Sequence, residues 1–382
     1  FKNYLFMLNA VDDGYGGLEH RNSTALIASR RDLPRVGDSR MGEGYVTLLG
    51  LISHEYFHTW NVKRLRPAEF AHYDYAGENY TQLLWFFEGF TSYYDDLLLR
   101  RAGLLDDTGY LKLLNKTINQ VLQTPGREVQ SVAQASFDAW VKYYRQDENT
   151  ANATVSYYTK GALVALCFDL TLRGEGHSHL DEVMRTLWQR CKGGPMAEAD
   201  FAAVLKDLGG RAYTRELAGW VHGTRELPMR ELLEQHGIQV MDEPAQLQQR
   251  LGVRTAETGS LVLKNVLRGG AAEQAGFAAN DEWIGVEVAG NGWRLTLPDR
   301  TYYFYAHLSA FAEDGQGALP RPDLKDDPYS SVVQARLSGP EDEAVDIANN
   351  SDYGLFSYVY CGDLARGRAA RQLRHHGQCL RL

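Results

Sequence analysis

One short run constrains this chain more than any other feature: His54-Glu55-Tyr56-Phe57-His58, inside a segment from Tyr45 to Trp60 whose apolar residues recur at spacings of three and four. That period predicts a helix. On a helix, residues four apart share a face, so both imidazoles can reach one ion while Glu55 points towards a water held there. Coincidence competes with this reading, because with 11 His in the chain residue frequencies give a chance HExxH match of about a few per cent per sequence. A further ligand is therefore required. A catalytic zinc takes three protein ligands and keeps a fourth position for water, so a His, Asp or Glu should project from a neighbouring helix.

Glu88 meets that requirement. It interrupts Leu84-Trp85-Phe86-Phe87-Glu88-Gly89-Phe90-Thr91 within a second helical segment, Tyr80 to Arg101. A lone carboxylate buried among such side chains costs on the order of several kcal/mol unless a cation or hydrogen bonds compensate it. Metal ligation removes the anomaly, and the bulky apolar neighbours disfavour a solvated surface Glu. Asp95, two helical turns after Glu88, shares its face and either accepts a hydrogen bond from a ligand imidazole or serves as a cap or surface ion-pair partner of Arg100 or Arg101. Asn61, Lys63, Arg64 and Arg66 form a basic run after the motif helix, for which complementing the helix dipole is the default reading. His20, His72, His177, His179 and His222 have no partner at i+4 and read as structural.

Composition narrows the remaining classes. The 382 residues carry 40 Lys and Arg against 49 Asp and Glu, a formal charge of −9, which provides no electrostatic footprint for nucleic acid or anionic lipid. The most apolar stretches, 45–53, 83–87 and 162–168, fall short of the roughly 18 to 20 residues that cross a bilayer. The four cysteines, at 167, 191, 361 and 379, form no CxxC pair or tight cluster, consistent with a reducing, cytoplasmic setting. The first residues, FKNYLFMLNAVDDGYGG, read as a strand entered midway, with no signal peptide and no initiator Met, so a truncated front is expected.

Texture divides the chain. Strand and Gly-rich turn run to about position 22, then an Arg/Asp/Gly loop to about 44, then helices including Tyr158 to Arg173, Asp181 to Cys191, Glu198 to Leu208 and Met229 to Gln235. Beyond Gly237 short Val/Leu runs separated by Gly predict a small β-rich unit up to about 300. The expected domains are thus 1–236, 237–300 and an atypical tail, 301–382.

With these residues in hand, HEYFHTWNVKRLRP followed by WFFEGFTSYY resembles the glycyl aminopeptidase family of gluzincin zinc metallopeptidases. The resemblance covers roughly residues 1 to 300. It implies an α+β architecture, a thermolysin-like and mainly helical catalytic domain followed by a PDZ domain, and one zinc per chain held by His54, His58 and Glu88 with Glu55 as base and acid. Gly16-Gly17-Leu18-Glu19-His20 resembles an element of related aminopeptidases whose glutamate holds the substrate α-amine, which nominates Glu19; an ordinary edge-strand Glu is the alternative. Tyr157-Tyr158-Thr159-Lys160-Gly161 resembles another, whose tyrosine stabilises the oxyanion, which nominates Tyr158 over Tyr157. The activity implied is removal of N-terminal residues, Gly or Ala favoured, from peptides with a free amine. An inactive relative acting as a peptide-binding scaffold, and an endopeptidase, are the competing readings.

Two resemblances concern the C-terminal third. Arg250-Leu251-Gly252-Val253, Gly269 to Phe277 and Asn280-Asp281 resemble the carboxylate-binding loop and following turn and helix of a PDZ domain, which adds an extended peptide to a sheet edge; a purely structural appendage is the alternative. Residues 341–374 instead resemble the C-terminal stretch of aldehyde dehydrogenases, with no counterpart of that enzyme's nucleotide-binding half or nucleophilic cysteine, so dehydrogenase activity is not supported.

Overall fold

The computed structural model describes residues 2–37, 41–257, 260–289, 292–297, 300–305, 310–312 and 331–337. The aldehyde dehydrogenase-like stretch, 341–374, lies outside them. At the front, β1 (Leu5–Val11), β2 (Tyr15–Glu19) and β3 (Ser23–Ser29) form a sheet in the order β1-β3-β2, β3 parallel to β1 and antiparallel to β2. β2 is thus an edge strand. Helix α1 (Glu43–Phe57) packs against β2 and β3 and buries Leu48, Leu51 and Glu55. The first two are ordinary core residues; the third is a carboxylate facing the same way.

The second predicted helix is divided at Glu88 into α2 (Leu84–Phe87) and α3 (Gly89–Arg101). Its apolar residues Trp85, Phe86, Phe87 and Phe90 are fully buried, and Phe86 and Phe90 pack with ring centroids 4.4 Å apart. Offset and edge-to-face rings of this kind add to the area they bury. The helices α4 (Asp107–Leu122), α5 (Val132–Phe137), α6 (Thr150–Ala153), α7 (Thr159–Gly174), α8 (Leu180–Arg190) and α9 (Glu198–Gly209) complete the body around this cluster. Of these, α7 is central: all but a few of its residues are buried. Asp169 on α7 accepts from the Tyr93 hydroxyl of α3 at 2.7 Å, from Arg173 Nε at 2.9 Å and from the Leu180 amide of α8 at 2.6 Å. One buried carboxylate therefore ties three helices together, its charge compensated by hydrogen bonds and a guanidinium.

Gly89 and Gly161 let α3 and α7 meet at backbone distance. A Cβ on Gly161 would stand 2.6 Å from the Trp85 carbonyl oxygen and 2.9 Å from the Gly89 Cα. No side chain fits there, which explains physically why a glycine follows Glu88 and another follows Lys160.

The chain beyond 237 does not separate cleanly at the expected boundary. The strand Ile238–Pro244 pairs antiparallel with Ser331–Leu337, and Val240 and Ala335 belong to the helical core. Asn115 of α4 pairs with Ala335 in both directions, donating to its carbonyl at 3.0 Å and accepting from its amide at 2.6 Å. A strand inside the expected tail thus shares the core of the first domain. A separate small core gathers Leu251, Val253, Leu263, Ala271, Ala272, Phe277 and Trp283. It is attached to the helical body by Arg254 to Thr124 (2.8 Å) and by Asn152 to Val266 and Arg268 (2.9 and 2.8 Å). Strands within 285–312 form a four-stranded antiparallel meander. Among the described residues no helix is long and apolar enough to cross a membrane.

Candidate metal centre and its surroundings

The last turn of α1 presents His54 and His58 on one face, their rings 4.6 Å apart and nearly perpendicular. Glu88 reaches them from the break between α2 and α3: its Oε2 lies 3.3 Å from His54 Nε2 and 3.3 Å from His58 Nε2. Sequence spacing suggested these three residues; packing of α1 on α3 brings them together. One donor atom from each lies within 4.8 Å of the others, a group that could hold a metal ion. Each imidazole is oriented through its other nitrogen. His54 Nδ1 is 3.0 Å from Asp95 Oδ2, and His58 Nδ1 is 2.8 Å from the Asn61 carbonyl oxygen. Both partners accept, so Nδ1 carries a proton and Nε2 is the atom turned towards Glu88. Of the two readings open for Asp95, the hydrogen bond to an imidazole is the one observed.

Charge balance follows from burial. Burial alone would lower the His54 imidazolium, yet Asp95 and Glu88 outweigh it and raise the group to about 10. His58 is raised in the same way, burial being overcome chiefly by Glu88. Glu88 is held well below the usual carboxylate range: burial opposes this, and the two imidazoles prevail. A positive charge between these groups is what the arrangement stabilises. Glu55 behaves differently. It is 5% exposed, burial pushes its carboxyl up to about 7 against the pull of His58 and His54, and its Oε2 has no hydrogen-bond partner among the described residues. The described residues thus leave the hydrogen-bonding capacity of one buried carboxylate oxygen unfilled beside the group that could hold a metal ion.

Edge strand β2 lies against this end of α1. A Cβ on Gly17 would overlap the Glu55 carboxylate, whereas one on Gly16 would meet nothing within 4 Å. Glycine at 17 therefore lets the strand lie directly over the Glu55 carboxylate. Glu19, two residues on, is ion-paired with Lys63 at 3.0 Å. The basic run after the motif helix thus has a role that dipole complementation does not describe. Lys63 neutralises Glu19, Arg64 donates to the carbonyls of Thr59 (2.6 Å) and Arg21 (3.2 Å), and Arg66 donates to the Lys63 carbonyl at 3.0 Å. Together they pin the turn after α1 to the sheet. Within that turn Val62 has φ +135°, a conformation that strains a β-branched residue and persists only where the surroundings impose it.

Tyr158 is the cap residue at the start of α7, its ring 6.1 Å from that of His54 and its hydroxyl 3.4 Å from that of Tyr144. Burial first, and Glu88 second, raise its phenol above the ordinary value, so it is a neutral donor. Tyr157 is fully buried and stacks behind it at 4.8 Å. Tyr144 was not visible as a site residue in the sequence. It follows a π-helical turn, residues 139–143, a feature often found beside functional sites, and no linear spacing ties it to Tyr158. Among the remaining histidines, His222 pairs with Glu198 at 2.8 Å and His20 with the Leu18 carbonyl at 3.1 Å.

Comparison with known proteins adds to this geometry. Residues 47–164, which span both motifs and Tyr158, match the family model of the M61 glycyl aminopeptidases. That match agrees with the resemblance to the glycyl aminopeptidase family carried by the two motifs. A crystal structure of an aminopeptidase N family protein from Idiomarina loihiensis is similar to it over 88% of this chain, with a TM-score of 0.74 and 34% identity. The chain covers 61% of that protein, less than two thirds of its length. No match is found among curated proteins.

Proposed function

We propose that this chain is a zinc-dependent aminopeptidase, with His54, His58 and Glu88 as ligands of one zinc ion. The Nε2 to Oε2 separations of 3.3 Å support this choice, since roughly 3.3 Å is the edge of a tetrahedron whose metal–ligand bonds are about 2.0 to 2.1 Å. Two imidazoles and a carboxylate also form a donor set that zinc accepts. When bound, the ion would polarise the scissile carbonyl and bring a water pKa towards about 7.

The chain's own residues then divide the remaining work. Glu55 takes the proton from the attacking water at Oε2 and returns it to the leaving amine, a role suited to a group poised near neutrality. Tyr158 donates its hydroxyl hydrogen to the carbonyl oxygen as negative charge develops there, an interaction whose removal commonly costs about 3 kcal/mol. Glu19 holds the substrate ammonium once the Lys63 ion pair opens. That requirement restricts cleavage to the first residue, for which the family resemblance favours Gly or Ala. The small β-rich unit around Leu251-Gly252-Val253 is read as a PDZ-like module that docks an extended peptide.

The orphaned Glu55 Oε2 beside three convergent ligand atoms is the observation that carries this reading. Hydrolysis of Gly- and Ala-anilides tests it. Chelation should abolish turnover, zinc or cobalt should restore it, and N-acetylated anilides should resist cleavage. Cleavage of the blocked substrates would reject the exopeptidase assignment in favour of an endopeptidase.

A further inference from the structure

Past the Glu19–Lys63 pair, the chain builds a second concavity. A cavity of about 520 Å³ is lined by Arg21, Lys63, Arg66 and His72, with Val62 and Tyr73 among its other walls and no carboxylate among its described lining residues. In a chain of net charge −9, three permanent cations around one hollow call for an anion. Among the described residues Arg21 and Arg66 have no carboxylate partner, and Glu19 is the carboxylate on Lys63. The strained Val62 forms part of the wall, and the same turn carries the Asn61 carbonyl that orients His58. Metal site and cavity are thus two sides of one loop.

Strand direction gives the cavity its place along a substrate. β2 passes from Gly17, over Glu55, to Glu19, and the chain continues to Arg21 in the cavity wall. A substrate residue whose carbonyl faces Glu55 and whose ammonium meets Glu19 has one group left to send further in that direction, its side chain. We propose that the cavity is a carboxylate subsite for the side chain of an N-terminal Asp or Glu, a second substrate class beside the small residues. This rests on the aminopeptidase reading and on Glu19 as holder of the ammonium. Binding is an exchange of partners. The substrate ammonium replaces Lys63 on Glu19, and the substrate carboxylate replaces Glu19 on Lys63 with Arg21 and Arg66 beside it. No charge is left unpaired by the opening of the original pair.

Calorimetry on the zinc-loaded full chain with glutamic acid α-amide and glutamine amide, both with a free amine, tests the subsite without requiring turnover. The acid is expected to bind about tenfold tighter than its uncharged isostere, and the ratio should fall towards one in Arg66→Gln and in Arg21→Gln. Because each ratio is taken within one protein, partial misfolding of a variant cancels. The kcat/KM ratio of Glu- over Gln-anilide should follow the same order. Equal binding of the two amides by the wild-type chain would overturn the subsite even if Ala-anilide is cleaved. A preference for the free acid of Ala-Ala over its amide, without a Glu/Gln difference, would also overturn it, by assigning the cavity to a C-terminal carboxylate. Retained Glu/Gln discrimination with no cleavage of any anilide would instead refute the aminopeptidase reading, and with it the substrate subsite, leaving the cavity as a carboxylate-binding site alone.

Discussion

Replacing Gly17 by Ala puts a methyl group where the Glu55 carboxylate now lies. A Cβ built at position 17 overlaps the Glu55 Cγ, Cδ and Oε1, whereas ordinary contact begins near 3.4 Å. The carboxylate must withdraw by about an ångström, and displacement of that size costs on the order of 100-fold in rate, or roughly 2.7 kcal/mol of transition-state stabilisation. Folding should suffer little. The obstructed group is the end of a rotatable side chain, and Ala in an extended strand recovers roughly 0.5 to 1 kcal/mol of backbone entropy relative to Gly. Gly16→Ala is the matched control, since nothing lies within 4 Å of its added carbon. The assay is kcat/KM on Ala-anilide for both variants, with metal content per chain and thermal midpoint measured on the same preparations. The expected outcome is a loss of about 100-fold confined to Gly17→Ala, at unchanged zinc content and nearly unchanged midpoint. Near wild-type turnover in a metal-loaded Gly17→Ala protein would refute the reasoning, because then either Glu55 is not the base or its position over the ion does not matter.

Three further outcomes follow from the same geometry. Glu55→Gln should keep zinc, whose ligands are untouched, and lose on the order of 100 to 10,000-fold in kcat; retained turnover would remove Glu55 from the mechanism. Asp95→Ala leaves the His54 Nδ1 hydrogen without its 3.0 Å acceptor and should weaken zinc binding about 10 to 100-fold in competition with a chromogenic chelator, an unchanged affinity being the refuting result. Lys160, 2% exposed and donating to the Arg127 carbonyl at 3.2 Å, is lowered by burial from 10.5 to about 8. The folded chain then binds fewer protons than the unfolded one between these values, so this residue makes stability rise with pH across that window, by about 3 kcal/mol in all. Lys160→Met should flatten that rise in urea unfolding compared between pH 7 and pH 10, and a slope equal to wild type would show that the ammonium is not held down.

The sequence alone nominated the residues of the candidate centre, because helical periodicity is local. A spacing of four from His54 to His58 places both on one face whatever surrounds the helix, and a Glu inside Trp-Phe-Phe-Glu-Gly-Phe is costly unless a cation or hydrogen bonds compensate it. Tertiary structure decided everything that depends on two segments meeting. The Asp95 hydrogen bond to His54, chosen over a surface ion pair, required α1 and α3 to pack side by side. The ion pair between Lys63 and Glu19, the contact of Tyr144 with Tyr158, and the Gly89 to Gly161 approach all join positions from different elements, and no spacing along the chain encodes them. The strand 331–337 joined the helical core through Asn115 and the strand at 238–244, against a boundary drawn from texture, because pairing partners are chosen by burial and register in space and not by proximity in sequence.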